Sequence, residues 1–209
     1  VTSKLDTPAK PHAAFVFAHG AGAGMEHPFM RAVAGGLADR GIAVLRYQFP
    51  YMDAGSKRPD PPKVAHAAVR AAVAEAARAL PGVPLFAGGK SFGGRMTSQA
   101  QALDPLTGVR GLVFFGFPLH AAGNPSDERG DHLAQVNVPM LFLQGTRDAL
   151  ADLALVRGVT QRLGSHATLE AVEDADHSFH VPARSGRTDA EVLESLLERA
   201  AAWMRAATA

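Results

Sequence analysis

The residues whose types and spacing could do chemistry lie in one short stretch. Gly89, Lys90, Ser91, Phe92 and Gly93 spell G-x-S-x-G, with a further glycine on each side at Gly88 and Gly94. Leu85 to Ala87 before it is a short apolar run, as in a strand buried on both faces. Met96 to Leu103 after it has a helix-forming composition, with Met96, Ala100 and Leu103 at helical spacing. A serine on so abrupt a strand-to-helix turn is forced into a strained backbone conformation. Side chains two positions away would collide with the neighbouring strand and helix, so glycines flank it. The turn lifts the hydroxyl above the sheet edge, and the helix N-terminus beneath it favours developing negative charge. A glycine-rich turn that merely turns, or a phosphate cradle, uses similar residues. The strand–turn–helix context favours a nucleophile.

A serine hydroxyl is a poor nucleophile until an oriented base takes its proton. Of nine histidines, His177 in EDADHSFH directly follows the last expected strand and precedes the last helix. It is the expected base, with His180 as its near competitor. His19 follows the first strand, where holding its loop is the expected role, while His120 and His132 lie in an irregular segment and could touch substrate. The orienting acid should end the strand before His177, and Asp148 in LQGTRD does so. Asp152, one helical turn on, and Asp127 or Asp131 after the preceding strand are the alternatives. Asp148 could also cap the helix expected from Leu150, which would not exclude a role in catalysis. The order Ser91, Asp148, His177 differs from those of the chymotrypsin and subtilisin arrangements.

Acyl transfer also needs donors aimed at the oxyanion of a tetrahedral intermediate. The backbone N–H of Phe92 is one candidate. The other is Ala21 in HGAGAG, His19 to Gly24, where small residues let the backbone approach a substrate. A dinucleotide fingerprint is a poor match there, because Met25 stands where its third glycine belongs, and Arg46 and Gln48 stand near the expected acid. Candidate substrate contacts are Gly20 and Met25, then Tyr51, then Leu119 with His120. Phe29, Met52 and Phe92 join them, although the aromatic residues suit the core equally well. Lys90 and Arg95 beside the serine could hold an anionic substrate or form a structural salt bridge. No metal is expected, since there is no HExxH, no cysteine, and only a loop pair in His177 and His180.

These groups need a scaffold. Apolar runs at Ala13–Ala18, Ala43–Phe49, Leu85–Ala87, Gly111–Phe117 and Met140–Gly145, with an alternating segment at Ala167–Glu173, read as about six strands. Helices are expected at Pro28–Arg40, Val64–Leu80, Met96–Leu103, Leu150–Leu163 and Thr188–Ala207, with a short one at Arg129–Ala134. Val1 to His12 reads as an arm, and Pro50 to Pro62 as a loop. Strands alternating with helices argue for an α/β fold, a mostly parallel sheet covered on both faces. Ligands in such sheets bind beyond the C-terminal strand ends, where all these motifs fall. With 209 residues and 47% hydrophobic content, one domain over 1–209 is expected. Interspersed charges summing to +1 argue against a nucleic-acid or membrane-surface partner. The absence of a spanning run and of a signal pattern makes cytoplasmic the expected location.

With these residues assembled, the chain resembles the alpha/beta-hydrolase superfamily over nearly its whole length. It is most similar to the small, lidless branch of dienelactone-hydrolase-like and testis-expressed or NSL-complex hydrolase-like proteins. The phrases carrying the closer match are HGAGAG, FPYMDAG…RPDPP (Phe49 to Pro62), GGKSFGGRM, FPLH, LQGTRD and DADHSF. The resemblance implies a Ser91–Asp148–His177 triad, an oxyanion hole from the Phe92 and Ala21 amides, and no large cap. It departs from true dienelactone hydrolases in having serine where they have cysteine. The expected activity is hydrolysis of an ester, thioester or amide of a small soluble acyl substrate, with no cofactor. The rival reading is a hydrolase-fold interaction module with an idle site, whose mark would be a lost triad member or a filled elbow.

Overall fold

In the computed structural model, which describes residues 1–208, the apolar runs assemble into a seven-stranded sheet. Strands β2 (Ala13–Ala18), β3 (Ile42–Tyr47), β4 (Leu85–Lys90), β5 (Val109–Phe115), β6 (Met140–Gly145) and β7 (Ala167–Val172) are parallel. The seventh, β1 (Ser3–Asp6), lies within the stretch expected to be an arm and pairs antiparallel with β3. Its register sets Lys4 opposite Arg46, and Asp6 reaches the Arg46 guanidinium at 2.9 Å. The Arg46 side chain is only 2% exposed, so a carboxylate partner offsets what would otherwise be a buried bare charge. An edge strand of this kind carries no apolar run to betray it.

The strands run in the order β1-β3-β2-β4-β5-β6-β7. Their alternation divides the interior in two. Phe15, Phe17, Val113, Phe115, Leu141 and Leu143 face α1 (Pro28–Ala38) and α6 (Asp189–Ala206). Ala14, Val16, Ala18, Leu112, Phe114 and Phe142 face the opposite side. There they meet α3 (Pro62–Ala79), α4 (Phe92–Leu103) and α5 (Leu153–Leu163). A single turn, α2 (Pro50–Asp53), interrupts the loop after β3, and Glu128–Gln135 is a 3-10 segment where a short helix was expected. Helix α6 starts with a capping box in which Thr188 and Glu191 exchange hydrogen bonds. Among the described residues no large cap covers the C-terminal edge of the sheet.

Strand β3 lies on one side of β2 and β4 on the other, so the strand order reverses at β2. The C-terminal ends of β2 and β4 are therefore where a ligand crevice belongs. Among the described residues no helix is long and apolar enough to cross a membrane, and no group of three or more His, Cys, Asp or Glu is placed to hold a metal ion.

Candidate active site

Ser91 stands between β4 and α4, as the N-cap of α4, with φ 51° and ψ −118°, a conformation that costs a non-glycine residue of order 1–3 kcal/mol. The surrounding glycines are required by contact. A Cβ on Gly89 would come within 2.6 Å of the Ala18 carbonyl oxygen, and one on Gly93 would meet the same oxygen at 2.6 Å. Helix α4 thus begins immediately after the serine, four residues earlier than its apolar spacing suggests.

His177 lies on the loop after β7. Its Nε2 is 2.8 Å from Ser91 Oγ and its Nδ1 is 2.7 Å from Asp148 Oδ2. A carboxylate only accepts, so the ring proton sits on Nδ1 and Nε2 is left to accept from the serine hydroxyl. Asp148 is fully buried at the side chain and tightly held. Gln144 Nε2 donates to its Oδ2 at 2.6 Å, and the Leu150 N–H donates to Oδ1 at 2.8 Å. Gln144 in turn accepts from the Phe117 N–H at 3.0 Å. The histidine loop is tied down as well. Asp176 Oδ1 accepts from the N–H groups of Ser178 and His180, while Thr146 Oγ1 accepts from Asp174. Positive φ values at Asp174 (59°) and Phe179 (63°) complete the turn.

Lys90, one residue before the serine, donates from Nζ to the His177 carbonyl. Its ammonium lies 5.4 Å from the Phe179 ring centre and 6.0 Å from that of Phe29. Burial lowers its pKa to about 8, against the opposing pull of Asp148 and Asp176. It forms no salt bridge with any described residue, and it lines a cleft that Ser91 also lines.

The N–H groups of Phe92 and Ala21 donate to no described residue. Ala21, Ser91 and Leu150 are shared by two clefts. The first, about 330 Å³, is lined by Gly20, Ala23, His27, Phe29, Lys90 and His177 among others. The second, about 430 Å³, runs past Phe92 to Asp60, Arg95, Gln99, Pro118 and Arg129. His19 fixes the Gly20–Gly24 loop from below. Its Nε2 accepts from the Phe49 N–H at 3.0 Å, so its Nδ1 donates to the Gly20 carbonyl at 2.8 Å. Burial lowers its pKa and keeps it neutral.

Of the expected substrate contacts, Gly20 lines the first cleft, whereas four others lie elsewhere. Tyr51 is 4% exposed and packs against His19, Phe49 and Phe92 beneath the loop. Leu119 is core. His120 is a buried staple whose Nε2 accepts from the Asp152 N–H and whose Nδ1 donates to the Ala121 carbonyl. Met25 is occupied through its backbone, with its N–H on Gln48 and its carbonyl on Arg46. Of the alternative acids, Asp152 caps α5, Asp127 pairs with Arg162, and Asp131 is exposed on the 3-10 segment. His180 pairs at the surface with Asp189. Sequence reasoning missed Leu150, Arg129 and Gln144. Only Gln144, the lone polar residue of the run MLFLQG, left a signal.

The alpha/beta hydrolase domain family matches residues 11–205, and the chain belongs to that family. Solved structures agree on the fold. A dienelactone hydrolase from Anabaena variabilis shares 20% identity at a TM-score of 0.76, covering 97% of this chain and 90% of its own. An alpha-beta serine hydrolase homologue from Coxiella burnetii shares 19% identity at 0.76, covering 94% and 90%. A serine hydrolase without a lid from Xanthomonas campestris shares 22% identity at 0.75, covering 96% and 88%.

Proposed function

We propose that this alpha/beta hydrolase is a serine acyl hydrolase that cleaves an ester, thioester or amide of a small soluble substrate. The observation that carries the reading is the unbroken hydrogen-bonded chain from Ser91 Oγ through His177 to the buried Asp148. Ser91 attacks the carbonyl carbon while His177 Nε2 takes its proton, and Asp148 stabilises the imidazolium that forms. The resulting oxyanion accepts hydrogen bonds from the N–H groups of Ala21 and Phe92. Collapse of the intermediate expels the leaving group with the proton from His177, leaving an acyl-enzyme on Ser91. Water, deprotonated by His177, then releases the acid and restores the hydroxyl. The sequence needs no cofactor.

The leaving group must sit within reach of His177 Nε2 when it is protonated. His177 lines the first cleft and not the second, so the leaving group occupies the first and the acyl half the second. Both clefts are open, which suits short acyl chains. Hydrolysis of phenyl acetate tests the reading. Ser91→Ala and His177→Ala are expected to lower kcat by at least about 10⁴-fold, and Asp148→Asn by about 10²–10⁴-fold with KM little changed. Wild-type protein inert toward esters, thioesters and anilides alike would instead favour a hydrolase-fold interaction module.

A further inference from the structure

The second cleft has unbalanced charge. Arg95 and Arg129 both line it, and neither forms an ion pair with any described residue. Arg95 projects from the first turn of α4, four residues beyond Ser91, and its Nε is buried without a partner. Burial pulls its pKa down, and the neighbouring charge of Arg129 does so further. The helix dipole opposes a cation at that end as well. Nearby His132 brings no compensation. Burial and then Arg95 push its pKa down to about 4, so it is neutral, with its Nε2 at 2.8 Å from Ser98 Oγ. The acid lining this cleft is Asp60, whose Oδ2 accepts from the Tyr51 N–H at 2.9 Å and pairs with neither arginine. Three separate costs therefore fall on Arg95, and an anion seated between the two guanidinium groups would offset all of them.

We propose that this wall is an oxyanion-binding subsite, and that the acyl half of the natural substrate carries a carboxylate or phosphate-type group a few bonds from the scissile carbonyl. The inference rests on the serine-hydrolase reading, because that reading assigns the acyl half to the second cleft. The reaction stays a simple hydrolysis: water enters, an alcohol, thiol or amine leaves, and the product acid carries a new carboxylate beside its original anionic group. Arginine suits the task through its planar fork, which meets a carboxylate or phosphate with paired donors.

The experiment compares ethyl hydrogen glutarate with its neutral carboxamide counterpart, ethyl glutaramate, and with the ethyl ester of a phosphonopropionic acid. Proton release is followed for wild type, Arg95→Gln, Arg129→Gln and Arg95→Lys. Wild type is expected to favour one of the anionic esters over the neutral one by about tenfold or more in kcat/KM, mainly through KM. The preferred anion tells carboxylate from phosphate-type recognition. In either glutamine variant the anionic-to-neutral ratio falls toward one, and Arg95→Lys restores it in part. Free glutarate or phosphate should also inhibit turnover of the neutral ester in wild type and lose that effect in Arg95→Gln. Equal turnover of neutral and anionic esters, or a ratio unmoved by the substitutions, overturns the subsite and leaves the hydrolase reading standing. No turnover of any ester, with Ser91 unreactive, overturns both.

Discussion

Asp148 shows how much of a reactive centre is decided by residues that never meet substrate. Its carboxylate must accept from His177 while fully buried, and Gln144 and the Leu150 N–H hold it in that orientation. Gln144→Leu would free an Asp148 lone pair and orphan the buried Phe117 N–H. A loss of about 1–3 kcal/mol in urea denaturation is expected from the unpaired donor. A fall in kcat of about tenfold should accompany it, with KM unchanged, because the imidazole loses its fixed aim. Unaltered kcat in a variant of lowered stability would show that Gln144 serves packing alone. At this scale the sequence was legible where chemistry sits next to a recognisable local pattern. Ser91 has its glycines, and Asp148 and His177 each follow a strand. The second cleft was not legible, since Arg95, Arg129 and Asp60 come from a helix, a 3-10 segment and a loop that only the fold brings together. Tyr51, Leu119 and His120 went the other way, because a sequence stretch that reads as irregular gives no hint of which of its side chains fold inward.

At the scale of elements, the junction of β4 and α4 does the positioning. The helix starts at once after Ser91, although Gly93 and Gly94 are weak helix formers. Glycine is needed because a Cβ on Gly93 would meet the Ala18 carbonyl oxygen of β2 at 2.6 Å and one on Gly94 the Gly89 carbonyl oxygen of β4 at 3.0 Å. Gly93→Ala is therefore expected to destabilise the protein by about 1–3 kcal/mol through forced displacement of the elbow. Activity should fall more steeply than stability, as read by thermal unfolding beside ester turnover. A variant as stable and active as wild type would mean that the junction yields more easily than its contacts imply. Parallel strands β2 to β6 were readable because burial on both faces makes them continuous apolar runs, and β7 through its alternation. Strand β1 was hidden by its polar edge sequence, and its bond to the core through Asp6 and Arg46 is a pairing across forty residues.

For the molecule as a whole, two histidines link stability to pH. His19 and His132 are held neutral by burial, with folded pKa values below the ordinary 6.5. At His132 the unfolded chain then binds more protons than the folded one between about 4 and 6.5, and the lowered His19 acts in the same direction. Stability is accordingly full above about 6.5 and declines as pH falls toward 4. Each histidine contributes at most about 1.4 kcal/mol per pH unit to the slope, and solvent access at His132 brings its share below that. His132→Gln should flatten the dependence measured by urea denaturation between pH 7 and pH 5, and an unchanged slope would remove His132 from the account. The central claim, however, is that this fold assembles one activated serine. Labelling with a fluorophosphonate probe, read by intact mass and peptide mapping, tests it without any guess about substrate. Stoichiometric modification at Ser91, abolished in Ser91→Ala and weakened in His177→Ala, is the predicted result. A folded protein that takes up no label, or takes it up elsewhere, would contradict it.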